Sequence, residues 1–192
     1  MHVEKAYKLL TMKNGKLYPM YVYSREETPL GEWLTAKDGE RLPNGKVKAR
    51  TGALAFRPGW HLAPVPNAPW IGLKTEDGVL VRRTDNVWCE AEYVSDIDYA
   101  GEAHENGWKD GKWAYVRACL KHVPENGFYR YRTNPFGDEW IIAGKIRLLR
   151  ILSDEEVRKI CLENGVEPQE TETEYTERKR KQAEPSPLSS GI

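Results

Sequence analysis

An Asn-Gly dipeptide at positions 14 and 15 is the sequence feature that most restricts the fold. It separates two strand-like runs, residues 5–12 and 16–23. Asn-Gly readily supplies the two positive φ angles of a type I′ turn, and the twist of this turn matches that of paired antiparallel strands. The sequence therefore predicts a β-hairpin over residues 5–23 and, with it, an antiparallel sheet.

Further strand-like runs follow along the chain. In the clearest of them, a period of two places Cys89, Ala91 and Tyr93 on one face, with Glu90 and Glu92 on the other. This alternation is typical of a strand that is buried on one side. The predicted strands after the hairpin are residues 46–56, 60–62, 86–94, 127–132 and 139–151.

Helix signals are fewer and shorter. Ser153 followed by Glu156 is a capping box, and Gly165 stands where a glycine commonly ends a helix. A second, short helix is predicted within residues 98–108. Strands that outnumber short helices in this way indicate an α+β fold with a mostly antiparallel core and a C-terminal helix.

The last residues have a different composition. From position 168 to 192 the chain contains almost no apolar side chains, and its end is rich in Pro and Ser. We therefore expect one globular domain over residues 1–167 and a disordered or frayed polar tail over residues 168–192. The basic run at 178–181 has two interpretations, contact with nucleic acid or an acidic partner, and a solvated tail whose glutamates cancel the charge.

Charge and cysteine content exclude several classes of protein. The 29 basic and 29 acidic side chains give no net charge, which argues against nucleic-acid binding by bulk electrostatics. Cys89, Cys119 and Cys161 are widely spaced and form no CxxC motif, as expected for a reducing cytosol. No signal-peptide core or apolar run of membrane-spanning length occurs. The sequence predicts a soluble, cytoplasmic protein without a membrane anchor.

Seven Trp and ten Tyr against three Phe make the aromatic content unusual. Such amphipathic rings pack on one side and hydrogen-bond on the other. Trp60, Trp70 and Trp140 flank the two segments that carry the candidate site residues, so we expect these three indoles near one cleft. Core or sheet packing is the expected role of three others, Trp88, Trp108 and Trp113.

The candidate site residues come from two segments. His61 lies in a Pro- and Trp-rich stretch, residues 57–72, either as a polar anchor for a ligand or as a histidine tied to backbone. Arg57 nearby either holds a phosphate with its planar guanidinium fork or is a surface charge. Glu139 opens a late apolar strand after a loop, as a carboxylate facing a cleft or an exposed acid, and Tyr131 is in the strand before it.

A metal site is a weaker alternative. Glu90 and Glu92 share a strand face, and Asp96 follows shortly after. Carboxylates at this spacing bind divalent cations or divide acid and base roles, although a solvent-facing sheet edge has the same pattern.

Two segments together resemble the ADP-ribosyltransferase-like fold. GALAFRPGWHLAPVPNAPWIG, residues 52–72, is similar to the family's second motif and to a run in its RNA 2′-phosphotransferase branch. DEWIIAGKI, residues 138–146, is similar to the third motif, in which a glutamate opens a late strand. The HGT of the first motif is absent from the N-terminal hairpin. Residues 46–152 also resemble accessory domains of bacteriophage and prophage proteins.

This resemblance implies an NAD-binding domain that cleaves the nicotinamide–ribose bond. Glu139 would match the catalytic glutamate that stabilises the oxocarbenium-like ribose, and His61 would match the second motif. Trp60 or a neighbouring Tyr would stack on nicotinamide, Arg57 would meet the pyrophosphate, and Tyr131 is the third residue expected to bind the cofactor. ADP-ribose would go to water or to a host protein or nucleic-acid acceptor. The alternative is a non-catalytic phage module that binds a host partner through exposed aromatic anchors.

Overall fold

The computed structural model describes residues 1–132 and 139–185. Within them the chain is α+β and its strand pairs are mostly antiparallel, as predicted. The strands are β1 (Val3–Lys13), β2 (Lys16–Tyr18), β3 (Trp33–Thr35), β4 (Val47–Ala49), β5 (Gly52–Leu54), β6 (Trp60–Leu62), β7 (Leu73–Lys74), β8 (Leu80–Val81), β9 (Asn86–Val94), β10 (Ile97–Asp98), β11 (Trp108–Lys109), β12 (Lys112–Trp113), β13 (Gly127–Tyr131), β14 (Trp140–Ala143) and β15 (Lys145–Ile151). The helices are α1 (Ala100–Glu105), α2 (Asp154–Glu163) and α3 (Glu172–Ala183), and Tyr115–Arg117 is a 3-10 turn.

The first sheet contains the predicted hairpin and has the order β2-β1-β9-β15-β3, with every pair antiparallel. Asn14 and Gly15 have φ angles of 53° and 75°, as a type I′ turn requires. β2 ends at Tyr18, earlier than predicted, because Pro19 has no N–H to donate to a ladder. β9 covers residues 86–94, as its alternation predicted.

The second sheet has the order β10-β13-β14-β6, and one continuous segment of the chain connects it to the first sheet. The predicted strand 139–151 is interrupted at Gly144, where the chain passes from β14 in one sheet to β15 in the other. A Cβ on Gly144 would lie 2.2 Å from the carbonyl oxygen of Pro124, so only glycine fits this crossing. The two sheets are also joined where Tyr7 and Ala63 exchange backbone hydrogen bonds of 2.9 and 2.7 Å.

These connections close a circuit of strands around the main core. In the first sheet, β9 pairs with both β1 and β15. The chain enters β15 from β14, and β14 pairs with β6. Ala63, the residue after β6, pairs with Tyr7 of β1 and closes the circuit. The predicted inward face of β9 is correct, since Cys89, Ala91 and Tyr93 are all buried in this core. Buried side chains that join them include Ala6, Leu10, Leu62, Ile141, Ile146 and Leu148.

Helix α2 covers the opposite face of the first sheet. The predicted capping box is present, with Ser153 and Glu156 each accepting a hydrogen bond from the other's backbone N–H. Val157 and Cys161 of α2 pack in a second core cluster that includes the fully buried Trp88 of β9. The C-terminal helix of the predicted domain is therefore a structural cover.

The tail differs from the prediction. Residues 168–185 are ordered, and α3 occupies most of them. Composition predicted disorder because the segment has little apolar surface, yet backbone hydrogen bonds hold it. The backbone N–H of Arg82 donates to the Glu170 carbonyl, and the Arg82 carbonyl accepts from the Glu172 N–H. The side-chain amide of Gln169 adds hydrogen bonds to the carbonyls of Ile71 and Leu80. Residues 186–192 lie outside the described residues.

Two smaller features complete the fold. The short helix predicted within residues 98–108 is α1. None of the helices described here is long and apolar enough to cross a membrane.

Candidate functional site

A cavity of about 690 Å³ opens beside β1, β3, β6 and the residues that follow β2. We call it the indole pocket, because four of the chain's seven Trp side chains line it. Polar groups in its wall include Lys8 of β1, Arg57 before β6 and His61 within β6. The indoles are Trp33, Trp60, Trp70 and Trp140.

The predicted convergence of Trp60, Trp70 and Trp140 is confirmed. The rings of Trp70 and Trp140 meet edge to face, with centroids 5.8 Å apart. Trp60 is fixed by its indole N–H, which donates to the carbonyl of Leu34 at 3.0 Å. Trp33, which the sequence did not single out, completes the set. These rings provide flat, weakly polar walls of the kind on which planar ligands stack.

The other predicted packing roles hold for Trp88, and in part for Trp113. Trp88 is buried, and the Trp113 ring packs on Tyr115 at a centroid distance of 4.6 Å. The packing prediction for Trp108 is wrong, because 53% of its surface is exposed. Trp108 lies in β11, the first strand of the short β11–β12 hairpin.

Lys8 is the pocket residue that the sequence analysis missed. It is only 8% exposed, and its Nζ donates to the carbonyl oxygen of His61 at 2.9 Å and lies 5.5 Å from the centre of the Trp60 ring. Burial lowers its pKa to about 8. A signal was present, because Lys8 alternates with the fully buried Ala6 and Leu10 on one face of β1.

His61 lines the indole pocket as a neutral imidazole. Burial is the main cause that lowers its pKa to about 3, and the nearby charges of Lys8 and Arg57 lower it further. Its Nδ1 lies 3.2 Å from the Gly59 carbonyl, which can only accept, so Nδ1 carries the proton and Nε2 carries the lone pair. His61 therefore offers a ligand a hydrogen-bond acceptor rather than a positive charge.

Arg57 and Tyr131 form a pair, but only Arg57 lines the indole pocket. The Arg57 Nη1 donates to the Tyr131 hydroxyl at 2.5 Å, and the guanidinium lies 4.5 Å from the centre of the Tyr131 ring. Tyr131 is buried and is not among the described residues of the pocket wall. Its hydroxyl therefore helps to orient Arg57, and no face of its ring is part of the described pocket wall.

Glu139 is likewise not among the described residues that line the pocket. Its carboxylate accepts hydrogen bonds from Arg132 at 2.7 Å and from Arg130 at 3.2 Å. Partial burial opposes ionisation, but these two guanidinium groups hold the pKa of Glu139 below its usual value. The structure thus brings His61, Arg57 and Trp60 to one cavity and leaves Glu139 outside it. Asp138 lies outside the described residues.

The carboxylates of the alternative metal site are engaged elsewhere. Glu90 pairs with Lys5 and Arg150, Glu92 pairs with Arg147, and Asp96 accepts from the backbone N–H of His2. Across residues 1–132 and 139–185, no three His, Cys, Asp or Glu side chains are grouped so as to hold a metal ion.

The arrangement as a whole can bind a planar molecule between indoles, with a cation and a neutral imidazole beside it. Comparison of the chain with models of protein families, with curated proteins and with solved structures gives no match.

Proposed function

We propose that this protein is a ligand-binding domain whose indole pocket takes a planar small molecule carrying a negatively charged group. The observation that carries the proposal is the combination of four indoles with two cations to which the described residues offer no carboxylate partner. Within the described residues, neither Lys8 nor Arg57 forms an ion pair with an acidic side chain.

The charges around the pocket are consistent with an anionic ligand. Two acidic side chains of the wall, Glu26 and Glu27, pair with the lysines Lys37 and Lys16, and a third, Asp38, is exposed. The cations Lys8 and Arg57 are more deeply placed. A charge-assisted hydrogen bond to a carboxylate or phosphate would satisfy the donors that Arg57 retains beyond its bond to Tyr131.

The size of the pocket suits a drug-sized or nucleotide-sized molecule, since binding cavities for such ligands measure about 300–1,000 Å³. NAD is the ligand that the sequence resemblance suggests. Arg57 and Trp60, the residues expected to meet its pyrophosphate and its nicotinamide, both line the pocket. The lone pair on His61 Nε2 would accept a hydrogen bond from a ribose hydroxyl.

Calorimetric titration tests the binding proposal. NAD, ADP-ribose and 4-methylbenzoate present an aromatic ring or base with an anionic group, in three sizes. We expect at least one to bind and to raise the melting temperature. The absence of heat and of any melting shift with all three would refute the proposal.

Matched variants locate the binding. Trp70 and Trp108 are both partly exposed, at 43% and 53%, so truncation of either should leave the fold intact, but only Trp70 lines the pocket. Trp70→Ala should weaken binding about tenfold, as loss of one aromatic stacking contact does. Trp108→Ala should leave it unchanged. Equal effects of the two substitutions would place the ligand elsewhere.

Cleavage of NAD is the enzymatic form of the same proposal. It requires Glu139, whose carboxylate two arginines now hold, to reach the ribose. Chromatographic detection of free nicotinamide from NAD, with the wild-type protein and with Glu139→Gln, tests it. Release that disappears in Glu139→Gln supports catalysis, whereas NAD binding without release leaves the binding domain as the function.

A further inference from the structure

The amine of Lys8 is placed as a reactive group would be. It lies on the inward face of β1, opposite Cys89 on β9, and the indole pocket reaches it. Its one described hydrogen-bond partner is the His61 carbonyl, and the Trp60 ring lies 5.5 Å away. In the described parts of the chain no carboxylate is paired with it, so no ion pair holds this nitrogen as an ammonium ion.

We propose that Lys8 condenses with the carbonyl group of an aldehyde or ketone ligand in the indole pocket and holds that ligand as an imine. The inference rests on the proposed function, because the carbonyl compound must enter the same pocket. It adds a chemical class to the ligand: a planar anion that also carries an aldehyde or a ketone.

The atoms of the step balance without a further reactant. The lone pair of the neutral amine attacks the carbonyl carbon, and the carbonyl π electrons move to oxygen, which becomes a hydroxyl group. Both protons of the original amine leave with that oxygen as water, and a C=N bond remains. When the imine is protonated, its N–H can donate to the His61 carbonyl, which already accepts from Lys8 at 2.9 Å.

The surroundings of Lys8 increase the share of the neutral, nucleophilic amine. Desolvation in an apolar pocket is an established way to activate a lysine for imine formation. Among the residues that the structure describes, the titratable side chains that face it are His61 and Cys89. His61 is neutral, and burial keeps the Cys89 thiol protonated by raising its pKa to about 12. With its pKa lowered to about 8, about a quarter of Lys8 is neutral at pH 7.5, against about a thousandth of a free lysine.

Reductive trapping tests the proposal on the wild-type protein. The probe is 4-formylbenzoate with sodium cyanoborohydride at pH 7.5, followed by peptide mass spectrometry at short times. Lys159, 76% exposed on α2, is the internal reference. We expect Lys8 to be labelled at least tenfold faster than Lys159, despite its burial. Labelling of Lys8 at or below the rate of Lys159 would overturn the proposal, and this comparison depends on no variant.

Two variants and a matched ligand separate this inference from the binding proposal. Lys8→Met should abolish the fast labelling, and Lys159→Arg should retain it; fast labelling that persists in Lys8→Met would refute the role of Lys8. The analogue 4-methylbenzoate has the same ring and carboxylate but cannot form an imine. If this analogue binds and the aldehyde gives no fast labelling, the imine proposal alone is refuted. If Lys8 is labelled fast and neither the analogue nor NAD nor ADP-ribose binds, the preference for an anion alone is refuted.

Discussion

Replacement of Lys8 by Met removes an ammonium group from the interior while keeping an unbranched side chain of similar length. In the folded protein the pKa of Lys8 is about 8, against 10.5 for an ordinary lysine. At pH 7 the amine is protonated in both the folded and the unfolded chain, so folding must desolvate a charge. A pKa difference of this size corresponds to a cost of about 3 kcal/mol.

The substitution also removes a hydrogen bond, because the Lys8 amine donates to the His61 carbonyl. That loss costs about 1 kcal/mol. When this loss is subtracted from the desolvation cost that the substitution relieves, Lys8→Met is expected to be more stable than the wild-type protein by about 2 kcal/mol at pH 7. Urea unfolding of both proteins, followed by tryptophan fluorescence, measures it.

The pH dependence of this difference has a definite sign. Between about pH 8 and 10.5 the folded wild-type protein loses the Lys8 proton while its unfolded chain retains it. Wild-type stability therefore rises with pH relative to Lys8→Met, and the stabilisation by Met should disappear by about pH 10. Groups that titrate in both proteins cancel in the difference. A gap that stays constant from pH 7 to 10, or a wild-type protein that is the more stable at pH 7, would refute the assignment of a desolvated lysine.

Three further substitutions and one control test the fold. Ser153→Ala removes the capping box of α2 and should cost about 1 kcal/mol of unfolding free energy in chemical denaturation, with an unchanged value counting against the cap. Gly144→Ala places a Cβ against the Pro124 carbonyl and should lower the melting temperature strongly, whereas Gly101→Ala, in α1 with open space around it, should be neutral or slightly stabilising. Gln169→Ala removes two hydrogen bonds and should speed amide hydrogen exchange in α3, and unchanged exchange there would mean that these bonds do not hold the helix.

Local signals in the sequence predicted the local structure well. The Asn14-Gly15 turn, the alternation over residues 86–94 and the capping box at Ser153 each act over a few residues, and each is present as predicted. Each of these structures depends on the backbone conformation and the side-chain period of neighbouring residues, and both can be read directly from the sequence.

Contacts between residues that are far apart in the sequence were harder to predict. The passage between sheets at Gly144 depends on Pro124, twenty residues earlier, and residues 139–151 alone read as a single strand. The order of the tail depends on backbone groups of Arg82, which no local composition reveals. Composition measures how much apolar surface a segment can bury, and this tail is held mainly by hydrogen bonds and ion pairs.

The candidate site was predicted in part for the same reason. Indoles around two motifs indicated a cleft, and three of them line one. Lys8 was missed because a lysine in a strand is usually solvent-exposed, and only its alternation with Ala6 and Leu10 marks it as inward-facing. Glu139 directly precedes Trp140 in the sequence. Trp140 lines the indole pocket, but Glu139 is not among the described residues of its wall.

The hydrogen bond from Gln169 to the carbonyl of Ile71 links the tail to the wall of the indole pocket. Ile71 lines that pocket and directly follows Trp70, so one residue belongs both to the pocket wall and to the contact that docks the C-terminal segment. If the docked segment and the occupied pocket stabilise the same loop conformation, each strengthens the other by the same free energy. Protease resistance of residues 168–185 then becomes a report on occupancy, and a ligand can be sought by watching the tail without labelling the pocket.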